Sequence, residues 1–202
     1  MAVVVVGGHS RNVGKTSVVA GLIAALPTLH WTAVKITQFG HGMCSVSAEP
    51  CECALNEIEH SWSIDDETDR SGESDTSRFL LAGARRSIWV RTKQGMLAEA
   101  MPALRAKLEN AGNVIIESNS VIKFLRPDIY LTVLNMKNPD FKDSAREFFD
   151  RADGVVMHDD TGAPAWDDVS LKLISGKPIF RIEPPEYVIP EMVKFVVEKI
   201  GR

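Results

Sequence analysis

Short apolar runs alternate with amphipathic segments along most of the chain. Continuous apolar or β-branched runs that end at glycine, asparagine or polar clusters predict strands buried on both faces of a sheet. They are residues 2–6, 31–36, 87–92, 113–116, 129–134, 154–157 and 178–182. Apolar positions three or four residues apart predict helices at residues 15–26, 78–84, 96–110, 144–150 and 191–200. This alternation predicts a three-layer α/β fold, with a mostly parallel sheet and helices on both of its faces.

Residues 40–77 interrupt this pattern. They have no clear period and are rich in serine, glutamate, aspartate and cysteine. We interpret them as a long functional loop, because long stretches without secondary structure inside a compact domain are usually functional insertions. A length of 202 residues fits one α/β domain that spans residues 1–202 and carries this insertion.

Composition narrows the classes of function. The hydrophobic share of 45% and the charged share of 25% are those of an ordinary globular protein. The net charge of −4 gives no general attraction to nucleic acid or to an anionic membrane, and no apolar run is long enough to span a bilayer. Three crowded cysteines do not form a secreted disulfide framework. We therefore expect a cytoplasmic protein without nucleic-acid or membrane partners.

The strongest chemical motif follows the first predicted strand and opens the first predicted helix. It consists of Gly8, His9, Ser10, Arg11, Asn12, Val13, Gly14, Lys15, Thr16 and Ser17. In a phosphate loop (Walker A motif) the backbone N–H groups and the helix dipole hold an anion. Gly14 allows close backbone approach, Lys15 reaches the β- and γ-phosphates, and the Thr16 hydroxyl binds Mg²⁺. The motif predicts binding of GTP or ATP with magnesium, although His9 stands where the standard pattern has its first glycine.

Two further residues lie where predicted parallel strands end. Glu117 follows the strand at 113–116, and a carboxylate at this edge of the sheet lies beside the phosphate loop, as a direct or indirect Mg²⁺ ligand. The alternative is an ordinary polar residue that closes a strand. Lys35, near the end of the strand at 31–36, could reach phosphate or substrate, and the alternative is a surface lysine. With Lys15, these residues are the candidate catalytic groups.

A second constellation lies in the 40–77 segment and consists of His41, Cys44, Cys51, Cys53 and His60. Thiolates and imidazoles are natural zinc ligands, and four of them would close a tetrahedral structural site that orders the loop. The alternative is a reduced loop with incidental cysteines, because Cys-x-Cys without a paired Cys-x-x-Cys is not a standard zinc finger. An iron–sulfur cluster normally requires four cysteines.

The order of these motifs resembles the MobB family of P-loop NTPases, the GTP-binding adaptors of molybdopterin-guanine dinucleotide biosynthesis. The resemblance covers most of residues 1–134. After the phosphate loop it rests on a Lys-His-type segment, an acidic stretch, a glycine, an Asp-Ser-like pair, an Ala-Gly-Ala and an apolar strand ending in glutamate. These are residues 35–41, Asp65 and Asp66, Gly72, Asp75 with Thr76, residues 82–84, and residues 114–117. Two departures are the longer, cysteine-containing loop and the Ser-Asn-Ser that follows Glu117.

The resemblance implies slow GTP or ATP hydrolysis in an adaptor that assists a cofactor-biosynthesis enzyme, and a homodimer. It also implies that Asp75 lies near the magnesium ion. The five residues between Gly8 and Gly14 give a looser similarity to dethiobiotin synthetase. That similarity implies an ATP-dependent ligase or kinase in which Lys15, Lys35 and Mg²⁺ stabilise charge during phosphoryl transfer. A third alternative is a metal-handling protein whose cysteine loop responds to nucleotide hydrolysis.

Overall fold

Eight strands form one sheet in the part of the chain that the computed structural model describes, which is residues 1–39, 61–159 and 162–201. The strands are β1 (Val3–Gly8), β2 (Thr32–Phe39), β3 (Trp62–Asp66), β4 (Arg86–Lys93), β5 (Val114–Glu117), β6 (Ile129–Leu134), β7 (Gly154–His158) and β8 (Ile179–Ile182). Their order is β3-β4-β2-β5-β1-β6-β7-β8, and every neighbouring pair except β3–β4 is parallel. The predicted mostly parallel sheet is therefore confirmed.

Five helices accompany the sheet in the described residues. They are α1 (Lys15–Ala25), α2 (Asp75–Leu81), α3 (Leu97–Leu108), α4 (Asp143–Arg146) and α5 (Pro190–Ile200). The central strand β1 has Val4 and Val6 in one apolar cluster with α1, α2 and α5, whereas Val5 belongs to a second cluster with α3. Because alternate side chains of a strand point to opposite faces, the helices cover both faces of the sheet. This confirms the three-layer arrangement.

Part of the stretch predicted as a loop at 40–77 is a strand. Residues 62–66 form β3, which pairs antiparallel with β4 at the edge of the sheet. Only Trp62 and Ile64 of its five residues are apolar, and both are partly buried against the second apolar cluster. Backbone hydrogen bonds beside β4 also hold this edge, as where Lys93 N–H donates to the Ser61 carbonyl at 2.8 Å.

Two helices also differ from the prediction. Helix α2 begins at Asp75 rather than Arg78, because the Ser74 hydroxyl accepts from the Ser77 N–H at 3.1 Å and the Ser77 hydroxyl accepts from the Ser74 N–H at 3.0 Å. The predicted helix at 144–150 is instead α4 followed by a 3-10 turn at Phe149–Arg151. The carboxyl ends of β1, β2 and β5 and the amino ends of α1 and α2 meet at one edge of the sheet, where the candidate site lies.

Candidate nucleotide-binding site

The loop between β1 and α1 has the conformation that an anion cradle needs. Asn12 and Gly14 have φ angles of 54° and 91°, in the left-handed region. A side chain at position 14 would be strained, and its Cβ would lie 2.4 Å from the ring of Tyr187. No side chain caps α1 in the described residues, and Val18 donates its first helical hydrogen bond, to Gly14 at 2.9 Å. The N–H groups at positions 15–17 are thus left for a ligand.

Lys15 is held against its own loop. Its Nζ donates to the Ser10 carbonyl at 2.6 Å. Burial lowers the pKa of Lys15 to about 8, the Glu117 carboxylate opposes that shift, and the nearby Lys35 cation adds to it. The site therefore disfavours the charged ammonium when no anion is present, as expected for a lysine that binds phosphate.

The Lys35 ammonium lies between two carboxylates and a hydroxyl. Its Nζ is 2.6 Å from an oxygen of Glu117, 2.6 Å from an oxygen of Asp75 and 3.5 Å from the Thr16 hydroxyl. Thr16 in turn donates to the second oxygen of Glu117 at 2.8 Å. Burial lowers the pKa of Lys35, but the two carboxylates outweigh it, so the pKa is raised. The structure thus brings together Thr16, Lys35, Asp75 and Glu117, which the sequence places far apart.

The backbone explains why these four residues meet. Lys35 and Glu117 are direct neighbours in the parallel register of β2 and β5. Thr16 lies in the first turn of α1 and Asp75 in the first turn of α2, and both helices begin at this edge of the sheet. Lys35 and Glu117 are largely buried, whereas Asp75 is 41% exposed. The cluster is therefore fixed by the sheet and opens to solvent at Asp75.

The donor set of this cluster fits magnesium. Carboxylate and hydroxyl oxygens are the hard ligands that Mg²⁺ prefers, and the ion usually takes only one or two carboxylates besides water and phosphate oxygens. The oxygens of Thr16, Asp75 and Glu117 surround the Lys35 ammonium, which shows that the position accepts a cation. No cluster of three or more His, Cys, Asp or Glu side chains that could hold a metal exists among the described residues. A magnesium ion here would accordingly need the nucleotide phosphates as ligands.

His9 does not contribute its side chain to the cavity. The residue is fully buried; its Nδ1 lies 3.4 Å from the Val133 carbonyl oxygen and its Nε2 3.3 Å from that of Asn138. The ring centroid is 4.8 Å from that of Trp166 and 5.3 Å from that of Phe141. Burial lowers its pKa. The ring packs beneath the loop, which explains how the loop accommodates a residue other than glycine.

Other predicted loop residues divide into two groups. Arg11, Asn12, Gly14, Lys15, Thr16 and Ser17 line the cavity. Gly8 is held at its N–H and its carbonyl by the Asn119 amide, at 2.8 and 2.9 Å. The Ser10 hydroxyl donates to Asp140 at 2.6 Å, and Val13 is buried in the core. For these three residues and His9, contact with a cofactor would therefore be through the backbone, and their place in the predicted phosphate loop stays a prediction.

The cavity in front of the loop has a volume of about 680 Å³. Residues to which the sequence assigned no role in binding also line it, notably Arg78, Asn119, Lys142 and Tyr187. Arg78 lies in the family-like segment after Asp75 and Asn119 in the Ser-Asn-Ser after Glu117, whereas Lys142 and Tyr187 lie in no motif, so no local signal could have identified those two. The space extends past Lys35 along the end of β2 to Thr37 and Gln38 and across to Gln94.

The predicted zinc ligands His41, Cys44, Cys51, Cys53 and His60 lie outside the described residues. That prediction stays a prediction.

In the described part of the chain, no helix is both long enough and apolar enough to cross a membrane.

No protein-family model and no curated protein matches the sequence. Among solved structures, the chain is similar to LpxK from Aquifex aeolicus in complex with ATP, with a TM-score of 0.50 and 17% identity over 90% of this chain and 53% of LpxK. The chain thus spans about half the length of LpxK. HypB from Helicobacter pylori in complex with nickel has a TM-score of 0.48 at 16% identity, over 97% of this chain and 86% of HypB. The signal recognition particle 54 kDa protein from Aeropyrum pernix K1 in complex with GDP has a TM-score of 0.48 at 15% identity, over 99% of this chain and 46% of that protein.

The sheet order, the glycine-containing turn between β1 and α1 and the likeness to LpxK define the class of fold. It is the three-layer α/β fold of the P-loop NTPases.

Proposed function

We propose that this protein binds a nucleoside triphosphate with magnesium through residues 8–17 and hydrolyses it slowly. The observation that supports the proposal most is the cluster at the end of the phosphate loop. There Thr16, Asp75 and Glu117 direct oxygens to one cation position, and Lys15 lies beside it with no carboxylate bound to its ammonium in the described residues. An anion cradle next to a cation site is what a metal–triphosphate complex requires.

Each residue would have a distinct role in such a reaction. The free N–H groups of the first turn of α1 and the Lys15 ammonium would hold the phosphates. Thr16 and Glu117 would hold magnesium, which when bound neutralises the charge of the phosphate oxygens. Lys35 would turn from the carboxylates toward the terminal phosphate and stabilise the charge that develops as the bond to the bridging oxygen breaks. A water molecule would supply the oxygen that replaces that bridging oxygen on phosphorus.

The wider role we propose is that of a MobB-like adaptor, with GTP as the nucleotide and an enzyme of molybdenum-cofactor (guanine dinucleotide) biosynthesis as the partner. The family-like segment from Asp75 to Ala84 supports this proposal, because it forms α2 and delivers Asp75 to the cation position. A homodimer belongs to the same proposal, and it too rests on the sequence resemblance.

A ligase or kinase of the dethiobiotin synthetase type is the second candidate. The observation that favours it is the depth of the cavity beyond Lys35, lined by Thr37, Gln38 and Gln94. A small carboxylate or carbamate acceptor would fit there, within reach of the Lys35 ammonium. ATP rather than GTP would then be the phosphoryl donor.

A thermal-shift panel tests nucleotide binding. Wild-type protein is melted with ATP, GTP, ADP and GDP, each with Mg²⁺ and with EDTA. A ligand present at 100 times its Kd stabilises the folded state by about 2.7 kcal/mol, and that corresponds to a rise in Tm of roughly 5–10 °C for a chain of this size. The control pair is Lys15→Ala, which should show no rise, and Lys172→Ala, an exposed lysine that does not line the cavity.

Absence of any shift in the wild-type protein, or an equal shift in Lys15→Ala, would overturn the proposal. Turnover assays then separate the two roles. Slow hydrolysis that is independent of small acceptors supports the adaptor. Fast ADP release that depends on a small carboxylate or carbamate supports the ligase or kinase.

A further inference from the structure

Lys142 is a cation that lines the cavity, and the proposed function so far assigns no role to it. It lies between β6 and α4, about 130 residues from the phosphate loop in sequence. Its backbone N–H donates to the carbonyl of His9 at 2.8 Å, and this bond ties the segment to the start of the loop. Its side chain lines the same cavity as those of Lys15 and Thr16. The backbone thus places Lys142 beside the start of the loop.

The surroundings of this ammonium are predominantly positive. In the ranges that the structure describes, no hydrogen bond or ion pair holds it, and the charged groups around it are Lys15, Arg11, Lys35 and the carboxylate of Asp140. Asp140 already accepts the hydroxyl of Ser10. Burial, and then repulsion from Lys15 and Arg11, lower the pKa of Lys142 to about 7. Lys142, Lys15 and Arg11 face one cavity, and among the described residues no carboxylate forms a hydrogen bond or ion pair with any of the three. A multiply charged anion between them would relieve their mutual repulsion.

We propose that Lys142 binds the terminal phosphate of the bound nucleoside triphosphate and thereby distinguishes triphosphate from diphosphate. The inference rests on the proposed nucleotide-binding function. In this proposal the amino end of α1 binds the inner phosphates, and Lys15 reaches the β- and γ-phosphates. Lys142 stands beside Lys15 on a different segment, where a third phosphate would extend and a diphosphate would not. A hydrogen bond from an ammonium to a phosphate oxygen is among the strong ones, because both partners carry charge.

Equilibrium binding to the full chain tests the proposal. The probes are the imido-triphosphate analogues of ATP and GTP, and ADP and GDP, all with Mg²⁺. In Lys142→Met the affinity for the triphosphate analogue should fall by about tenfold or more, whereas that for the diphosphate should change less than about threefold. The control, Lys172→Met, removes one exposed lysine outside the cavity and should leave both affinities unchanged.

A pH series with Lys142→Arg provides a second readout, which a merely structural role of Lys142 would not produce. Besides the charged groups named above, the same cavity is lined by the charged side chains of Asp75, Arg78, Glu117 and Asp143, and Asp143, the sequence neighbour of Lys142, is exposed. Because the free ammonium loses its proton around pH 7 and a bound phosphate would restore it, wild-type affinity for the triphosphate analogue should fall as pH rises from 6 to 8, by up to about tenfold. An arginine stays charged in this range, so Lys142→Arg should lose this part of the pH dependence. Calorimetry in two buffers measures the number of protons taken up on binding, and this number should be smaller in Lys142→Arg than in the wild type.

The outcomes distinguish a failure of this inference from a failure of the proposed nucleotide-binding function. If the wild-type protein binds no nucleotide, both fail. If it binds nucleotide and Lys142→Met either keeps the wild-type preference for triphosphate or weakens both nucleotides equally, the inference fails and nucleotide binding stands. An unchanged pH profile in Lys142→Arg would also overturn it. Loss of triphosphate preference alone, with diphosphate binding retained as proof of a folded site, supports it.

Discussion

Replacing Lys35 by methionine should destabilise the nucleotide-free protein by about 2–4 kcal/mol. Methionine has nearly the length of lysine but no charge, so the change removes the contacts at 2.6 Å to Glu117 and 2.6 Å to Asp75 and little volume. The Asp75 side chain is 41% exposed, so its share is at most about 1 kcal/mol. The Glu117 side chain is only 4% exposed, and a buried charge that loses its partner costs about 3–5 kcal/mol. The Thr16 hydroxyl still donates to Glu117 and reduces that cost.

Urea unfolding followed by tryptophan fluorescence and circular dichroism, in EDTA at pH 7, measures the loss. The midpoint should fall with little change in the slope m, and Tm should drop by roughly 5–15 °C. Lys172→Met controls for removal of an exposed lysine.

A double-mutant cycle identifies the cause. Glu117→Gln in the Lys35→Met background removes the carboxylate that has lost its partner and should therefore recover stability. The expected coupling energy between Lys35 and Glu117 is about 1–3 kcal/mol. A loss in Lys35→Met no larger than that of the Lys172→Met control would refute the reasoning. So would a double variant whose losses simply add.

Three further predictions concern His9, Lys15 and the cysteines of the 40–77 segment. His9→Gly should lower the free energy of unfolding by about 2–4 kcal/mol, because it leaves a cavity beside Trp166, and nucleotide affinity should stay nearly unchanged. A large loss of affinity without a loss of stability would contradict the packing of the His9 ring. Lys15→Met should stabilise the nucleotide-free protein at pH 7 by about 1 kcal/mol or more while it abolishes nucleotide binding. The sign follows from the pKa of Lys15, which the folded state lowers to about 8 from its ordinary value of 10.5. Because the folded state disfavours the charged ammonium, the wild type gains stability as pH rises through 8 toward 10.5. The variant should lack this gain in melting curves recorded across that pH range. Replacing Cys51 and Cys53 by serine should remove bound zinc, and elemental analysis that finds none in the native protein would refute the predicted metal site.

The parts of the site that could be predicted from sequence are those with a local pattern. The phosphate loop is one continuous segment between an apolar run and a helix, and the position of Glu117 follows from the end of an apolar strand. Asp75 was singled out through a family resemblance, without which it is one acid among many in a polar stretch. Lys142 and Tyr187 lie in the cavity without any such pattern, because their positions depend on how distant segments pack. The edge strand β3 was missed for a related reason: its pairing with β4 joins distant segments, and only two of its five residues, Trp62 and Ile64, are apolar.

The class of fold and the loop that carries the proposed chemistry are both predictable from local patterns in the sequence. Apolar periodicity is set by which face of each element must be buried, and the turn before α1 is a short-range property of its own residues. The surroundings of that loop depend on tertiary packing instead. The order of strands sets Lys35 beside Glu117, α2 brings Asp75 to them, and the packing of Trp166 and Phe141 turns the His9 ring away from the cavity. These contacts join residues far apart along the chain, and their geometry is fixed only when the sheet and its helices close around a common core.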